Sequence, residues 1–117
     1  MQLSARTTDG NLVITVETAR IDAAGAIHLK DQFRDAVADT DCRVIMDIGN
    51  VEFMDSSGLG AMVAALKLLE GRKLELASLQ PAVAKVFSLT RMDSVFVIHE
   101  NLEAAMSDKH SDGANAA

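Results

Sequence analysis

The stretch Val44-Ile45-Met46-Asp47-Ile48-Gly49-Asn50-Val51-Glu52-Phe53-Met54-Asp55-Ser56-Ser57-Gly58-Leu59-Gly60-Ala61 changes character twice along its length. It opens with a nearly continuous apolar run, residues 44–48, closed by Gly49-Asn50. The shortness and branching of that run predict a strand buried on both faces, as in a parallel sheet. From Ser56 the period becomes helical. Leu59, Met62, Val63, Leu66 and Leu69 mark a buried stripe running to Glu70, and Gly71 is placed to supply a left-handed C-cap. Between strand and helix stand Asp55, Ser56 and Ser57, all good N-cap residues.

Upstream, residues 3–7 and 12–17 are short β-type runs separated by Thr8-Asp9-Gly10-Asn11, and Asp-Gly between such runs predicts a tight hairpin. Asp22 is a plausible N-cap for an amphipathic helix that buries Ala26, Leu29, Phe33 and Val37 and turns Lys30, Asp31, Arg34 and Asp35 outward. Ile27 falls on the polar side. Downstream, Lys73-Leu74-Glu75-Leu76-Ala77 alternates like a strand. Pro81 suits a first helical position, with Val83, Val86, Phe87 and Leu89 continuing at helical spacing. Residues 95–98 read as a last strand, and Asn101 caps a short helix through Met106. Residues 107–117 are small and polar and read as a disordered tail. The sum is one α/β domain over residues 1–106, an N-terminal β-hairpin followed by alternating helices and strands in a mixed sheet with helices packed against it.

Composition excludes several classes of function. With 11 Lys+Arg against 17 Asp+Glu the 117-residue chain carries a formal charge of −6, so it lacks the basic excess that nucleic acid or an anionic membrane requires. Only 3 % of residues are aromatic, which removes stacking platforms for single strands. No uncharged run approaches the roughly 18–20 residues of a membrane span, so no direct membrane insertion is expected. Nor does the N-terminus show the basic-then-apolar pattern of a signal peptide. The lone Cys42 fits a reducing compartment. A cytoplasmic protein is the expectation.

Catalytic patterns are missing. His28, His99 and His110 are scattered and Cys42 stands alone, so no metal site is expected. His99 reads as a solvent-facing histidine at a strand end. Neither phosphate-binding glycine motif occurs, no cofactor is implied, and the serine pair is not in a G-x-S-x-G elbow. Asp47 near the end of a buried strand resembles the phospho-accepting aspartate of a receiver domain. The acidic pair and the late-strand lysine of that fold are absent, which leaves too few oxygen ligands for Mg²⁺. The Asp55-Ser56-Ser57-Gly58 turn can be simply a helix start with redundant caps. Gly58, Ala61 and Ala65 add a small-residue stripe that permits close approach, and a hydroxyl in the first helical turn sits where a phosphate is electrostatically tolerated.

Phe53-Met54-Asp55-Ser56-Ser57-Gly58-Leu59-Gly60, preceded by Ile45-Met46-Asp47-Ile48-Gly49-Asn50-Val51, resembles the signature of STAS domains, and most nearly that of bacterial anti-sigma-factor antagonists. The likeness runs over roughly residues 3–106, including Arg20-Ile21-Asp22-Ala23 at the first helix. It implies a binding protein rather than an enzyme, with Ser57 phosphorylated by an anti-sigma factor that is a histidine-kinase-like ATPase acting as a serine kinase. The unmodified form would capture that kinase and free the sigma factor, and a metal-dependent PP2C-type phosphatase would reset it. Asp55 and Ser56 carry over as the loop the kinase reads, with Gly58 and Leu59 beside them, and Asp22 as the partner-facing aspartate next to the phosphosite. Asp47 carries over as the strand aspartate beneath the loop, either supporting it or serving as an ordinary structural carboxylate. The chain departs from the family at Ala19, near Gly25 where a hydroxyl-bearing residue is usual, and at Thr90-Arg91-Met92, where Thr-Gly-Leu is usual. Two other readings remain: a non-phosphorylated STAS regulatory subunit of a membrane transporter, and an enzyme with Ser56 or Ser57 as nucleophile.

Overall fold

Asp9 (φ 52°) and Gly10 (φ 79°) both occupy the left-handed region, as the expected hairpin turn demands. They join β1 (Leu3–Thr8) to β2 (Asn11–Val16) in the computed structural model, which describes residues 2–107. The chain continues through β3 (Arg20–Ile21), α1 (Ala23–Val37), β4 (Arg43–Asp47), β5 (Phe53–Met54), α2 (Ser56–Leu68), β6 (Leu74–Ala77) and α3 (Pro81–Leu89). A 3₁₀ turn (Met92–Ser94), β7 (Val97–His99) and α4 (Leu102–Ser107) follow. The five-stranded sheet has the order β1-β2-β4-β6-β7, antiparallel only at the opening hairpin. This is the mixed α/β architecture that the hairpin and the later alternation imply.

The core lies between one face of the sheet and helices α1 to α3. Ile14 and Val16 of β2 and Met46 of β4 meet Leu29 and Phe33 of α1, Met62 and Ala65 of α2, and Val83 and Phe87 of α3. On the opposite face α4 lays Ala105, with Leu102 and Met106, against Ile45 and Ala77. Because α4 covers that second face, β6 is buried at every position and does not show the one-sided exposure its alternation predicts.

Several boundaries differ from expectation for packing reasons. Helix α2 ends at Leu68, and Glu70 and Gly71 both turn through positive φ. Its buried line is Gly58, Ala61, Met62, Ala65 and Leu69, whereas Leu59, Val63 and Leu66 are half-buried. Small residues take the closest approach and the larger ones sit at its margins. Leu89 is 73 % exposed at the end of α3, since the chain there turns away from the core. Residues 95–96 do not enter the last strand: Val95 closes the 3₁₀ turn, and Phe96 turns inward to meet Phe87 edge-on with centroids 5.5 Å apart. Ser107 belongs to α4 rather than to the tail, and residues 108–117 lie outside the described residues.

His99 corrects the sequence reading most clearly. It is buried, not solvent-facing, because Glu75 draws it in. Glu75 on β6 is 1 % exposed and receives Arg43 through Nε (2.6 Å) and a second guanidinium nitrogen (2.7 Å). His99 Nε2 lies 2.7 Å from the same carboxylate, and Arg43 also donates to the Ala105 carbonyl of α4 (2.8 Å). Burial by itself pushes the Glu75 carboxyl up, but the Arg43 and His99 hydrogen bonds and charges outweigh it and hold the group below its ordinary value.

Candidate functional site

Two segments too short to be recognised by periodicity build the site. The Ala19 carbonyl accepts from Glu52 N (2.7 Å) and Phe53 N (3.1 Å), which aligns β3 and β5 as a separate two-stranded parallel sheet. Its register pairs Arg20 with Phe53 and Ile21 with Met54. Ile21 and Met54 are buried, whereas Arg20 and Phe53 face solvent, as period-2 alternation requires.

Each strand of this pair then ends in an aspartate that caps a helix. Asp22 Oδ1 accepts from Gly25 N at 3.1 Å to start α1, and Asp55 Oδ1 accepts from Gly58 N at 2.9 Å to start α2. Both aspartates follow directly after a register pair, so the N-termini of α1 and α2 begin side by side. Asp55 is the cap that the sequence left open among three candidates. Ser56 and Ser57 therefore occupy the first two helical positions with no capping duty, and both are exposed. Their position adds the partial positive charge of unsatisfied backbone N–H groups.

Gly58 fixes how close the two halves come. A Cβ there would lie 2.4 Å from the Ile21 carbonyl oxygen and 2.8 Å from Met54 Cγ, so only glycine lets the first turn of α2 sit on β3. Leu59 is half-buried beside it. Thus Asp22, Asp55, Ser56, Ser57, Gly58 and Leu59 gather at one corner. Asp47 does not stand in the serine loop itself: at the end of β4 its Oδ1 accepts from Gly49 N at 2.9 Å and shapes the turn that leads there. Gln80, which no sequence signal singled out, donates from Nε2 to the Gly49 carbonyl at 2.8 Å and braces the same turn.

Concavities of 270 and 400 Å³ lie at the other end of the sheet, around Asp41, Cys42 and Arg72 and around Arg34, Thr40 and Glu70. Among the described residues no group of three or more His, Cys, Asp or Glu is placed to hold a metal ion, and no helix is long and apolar enough to cross a membrane.

A family model for the STAS domain matches residues 2–105. The chain belongs to the STAS domain family. This STAS domain is similar to BtrV of Bordetella bronchiseptica, a protein named for an anti-sigma factor antagonist role, at 28 % identity over 107 residues, covering 90 % of this chain and 91 % of that one. It is also similar to the solved structure of an anti-sigma factor antagonist from Mycobacterium paratuberculosis, with 26 % identity, 91 % of each chain covered and a TM-score of 0.81. The Bacillus cell fate determinant SpoIIAA in its phosphorylated form shares the fold, with 19 % identity, 92 % of this chain and 100 % of that chain covered, and a TM-score of 0.64.

Proposed function

We propose that this STAS domain is an anti-sigma factor antagonist switched by phosphorylation of Ser57. In the unmodified form it binds a serine-kinase anti-sigma factor, a histidine-kinase-like ATPase, and so releases the sigma factor. Phosphate on Ser57 ends that binding, and a PP2C-type phosphatase restores it. The protein then acts in the cytoplasm as a binding module, not as an enzyme. The observation that carries this reading is the exposed Ser57 hydroxyl in the first turn of α2, with Asp55 already serving as the cap. A hydroxyl free of structural work at a helix N-terminus is accessible to a kinase and lies where a phosphate can be accommodated. The names of the relatives support the antagonist role.

The switch follows from charge. A phosphoserine adds about −1.5 to −2 charge at neutral pH. Beside Asp55, in a chain of net charge −6, it sits badly in an interface shaped for a neutral hydroxyl. A penalty of about 3 kcal/mol weakens binding more than a hundredfold.

The test is a pull-down from the native cytoplasm with wild-type, Ser57→Ala and Ser57→Asp baits and identification of partners by mass spectrometry. A histidine-kinase-like ATPase is expected with wild type and Ser57→Ala and not with Ser57→Asp. Equal recovery of one partner by all three baits, a membrane transporter included, would overturn the phospho-switch.

A further inference from the structure

The chain has four phenylalanines and neither tryptophan nor tyrosine. Phe33, Phe87 and Phe96 are core residues, but Phe53 is 40 % exposed. A chain so poor in aromatics thus spends one on the surface, two residues before Asp55 of the Asp55-Ser56-Ser57 turn. Phe53 is not bare: the Arg20 guanidinium carbon lies 4.3 Å from its ring centroid. The stack is held from below, since Arg20 and Phe53 are a register pair and the Ala19 carbonyl binds both Glu52 N and Phe53 N.

A guanidinium held over a ring face still has N–H groups to offer a planar acceptor. Arg20 makes no salt bridge among the described residues. Its neighbours in sequence and register are acidic: Glu17 and Glu52 are exposed, and Asp22 and Asp55 are half-buried helix caps. The corner is therefore an acidic rim with one cation resting on one aromatic ring. Phenylalanine and arginine are both enriched at protein interfaces, and arginine also among the residues that carry most of the binding energy.

We propose that Arg20 and Phe53 form the patch by which this chain selects its anti-sigma kinase, receiving from that partner a carboxylate flanked by an apolar side chain. The inference rests on the Ser57 reading above. In this division of labour, Ser57 decides whether the partner binds and the Arg20–Phe53 stack decides which partner does. Charge complementarity sets the chemistry. The partner carries basic groups opposite the acidic rim and a single carboxylate opposite Arg20, so a paralogous kinase with a lysine there is rejected by like charge.

The experiment takes the histidine-kinase-like ATPase recovered by the wild-type bait, purifies it, and measures its affinity calorimetrically for full-length wild type, Phe53→Ala, Arg20→Ala, Arg20→Lys, Arg20→Glu and Ser57→Asp. Phe53→Ala and Arg20→Ala are each expected to weaken binding at least about tenfold, Arg20→Glu about a hundredfold, with Arg20→Lys between wild type and Arg20→Ala. Leu89→Ala, an exposed site on α3 outside the corner, is expected to leave affinity unchanged. Thermal unfolding of every variant guards against misfolding, and a Phe53→Leu variant keeps apolar volume without the ring should Phe53→Ala fail to fold. Binding of Phe53→Ala and Arg20→Glu within about twofold of wild type, with Ser57→Asp still inactive, would overturn the patch and leave the Ser57 reading intact. Recovery of no such ATPase by the wild-type bait would overturn both.

Discussion

Gly58 and Gly60 lie two residues apart in α2, and the same substitution should move stability in opposite directions at the two. At Gly60 an added Cβ meets nothing within 4 Å, so Gly60→Ala keeps only the helix-propensity gain, about 0.5–1 kcal/mol. At Gly58 the Cβ would stand 2.4 Å from the Ile21 carbonyl oxygen. An unstrained C···O contact is about 3.3 Å, so roughly 1 Å of relief is needed. Met54 Cγ, 2.8 Å away, belongs to a flexible side chain but is packed into the core, and the carbonyl is backbone. The cheapest relaxation lifts β3 away from α2, which stretches the Asp55 N to Ile21 O bond, already 3.4 Å long. Overpacking of this kind costs about 1–3 kcal/mol. Propensity recovers a fraction of that, so Gly58→Ala should be destabilised by about 1–2 kcal/mol, or on the order of 4–8 °C in Tm for a domain of this size. Urea and thermal unfolding of both variants by circular dichroism would read the difference. If Gly58→Ala proved as stable as Gly60→Ala, the close approach of α2 to β3 would be wrong, and with it the alignment of the two capping aspartates.

Glu75→Gln should cost about 3 kcal/mol in urea unfolding at pH 7, because it removes the ionised partner of the largely covered Arg43 guanidinium. The folded Glu75 titrates below its ordinary value, so its stabilisation is fully present above the ordinary glutamate pKa and is lost as pH falls through the depressed folded value. Wild type should therefore lose stability in that acid window more steeply than Glu75→Gln, and parallel curves would contradict the ionised carboxylate. Arg91 holds φ 64°, a conformation that favours glycine. Arg91→Gly should raise stability by about 0.5 kcal/mol, with an unchanged or lower Tm counting against strain at that turn.

The elements that the sequence made legible are those whose periodicity runs over several residues. The Asp-Gly hairpin, the stripe of α1, the apolar run of β4 and the caps Asp22 and Asn101 each leave a local signature, whereas Asp55 is one of three candidate caps in its turn. What stayed hidden is decided by long-range contact. Strands β3 and β5 are two residues each, below the length at which a period-2 pattern exists, yet they bring Asp22 to the serine turn. His99 looked exposed because a strand end is normally wet. Its burial depends on Glu75 across the ladder and on α4 over the open face. Helix α2 is apolar nearly all round, so its stripe could not be phased from hydrophobicity, and the small residues won the inner side.

On the proposed Ser57 switch, the two-stranded sheet would also let a phosphate at this corner act without refolding. Ser57 is in the first turn of a helix whose cap, Asp55, and whose neighbouring cap, Asp22, are each tied to a backbone N–H. Neither carboxylate can swing away from an added phosphate without releasing the start of its own helix, at about 1 kcal/mol per cap. The helix N-terminus would partly offset the new charge within the free protein, so the domain itself would tolerate a phosphate there. A partner that had to dehydrate the same surface would gain no such offset. A phosphate on Ser57 would therefore raise the energy of the proposed complex far more than that of the free domain, and that difference is what a binding switch requires.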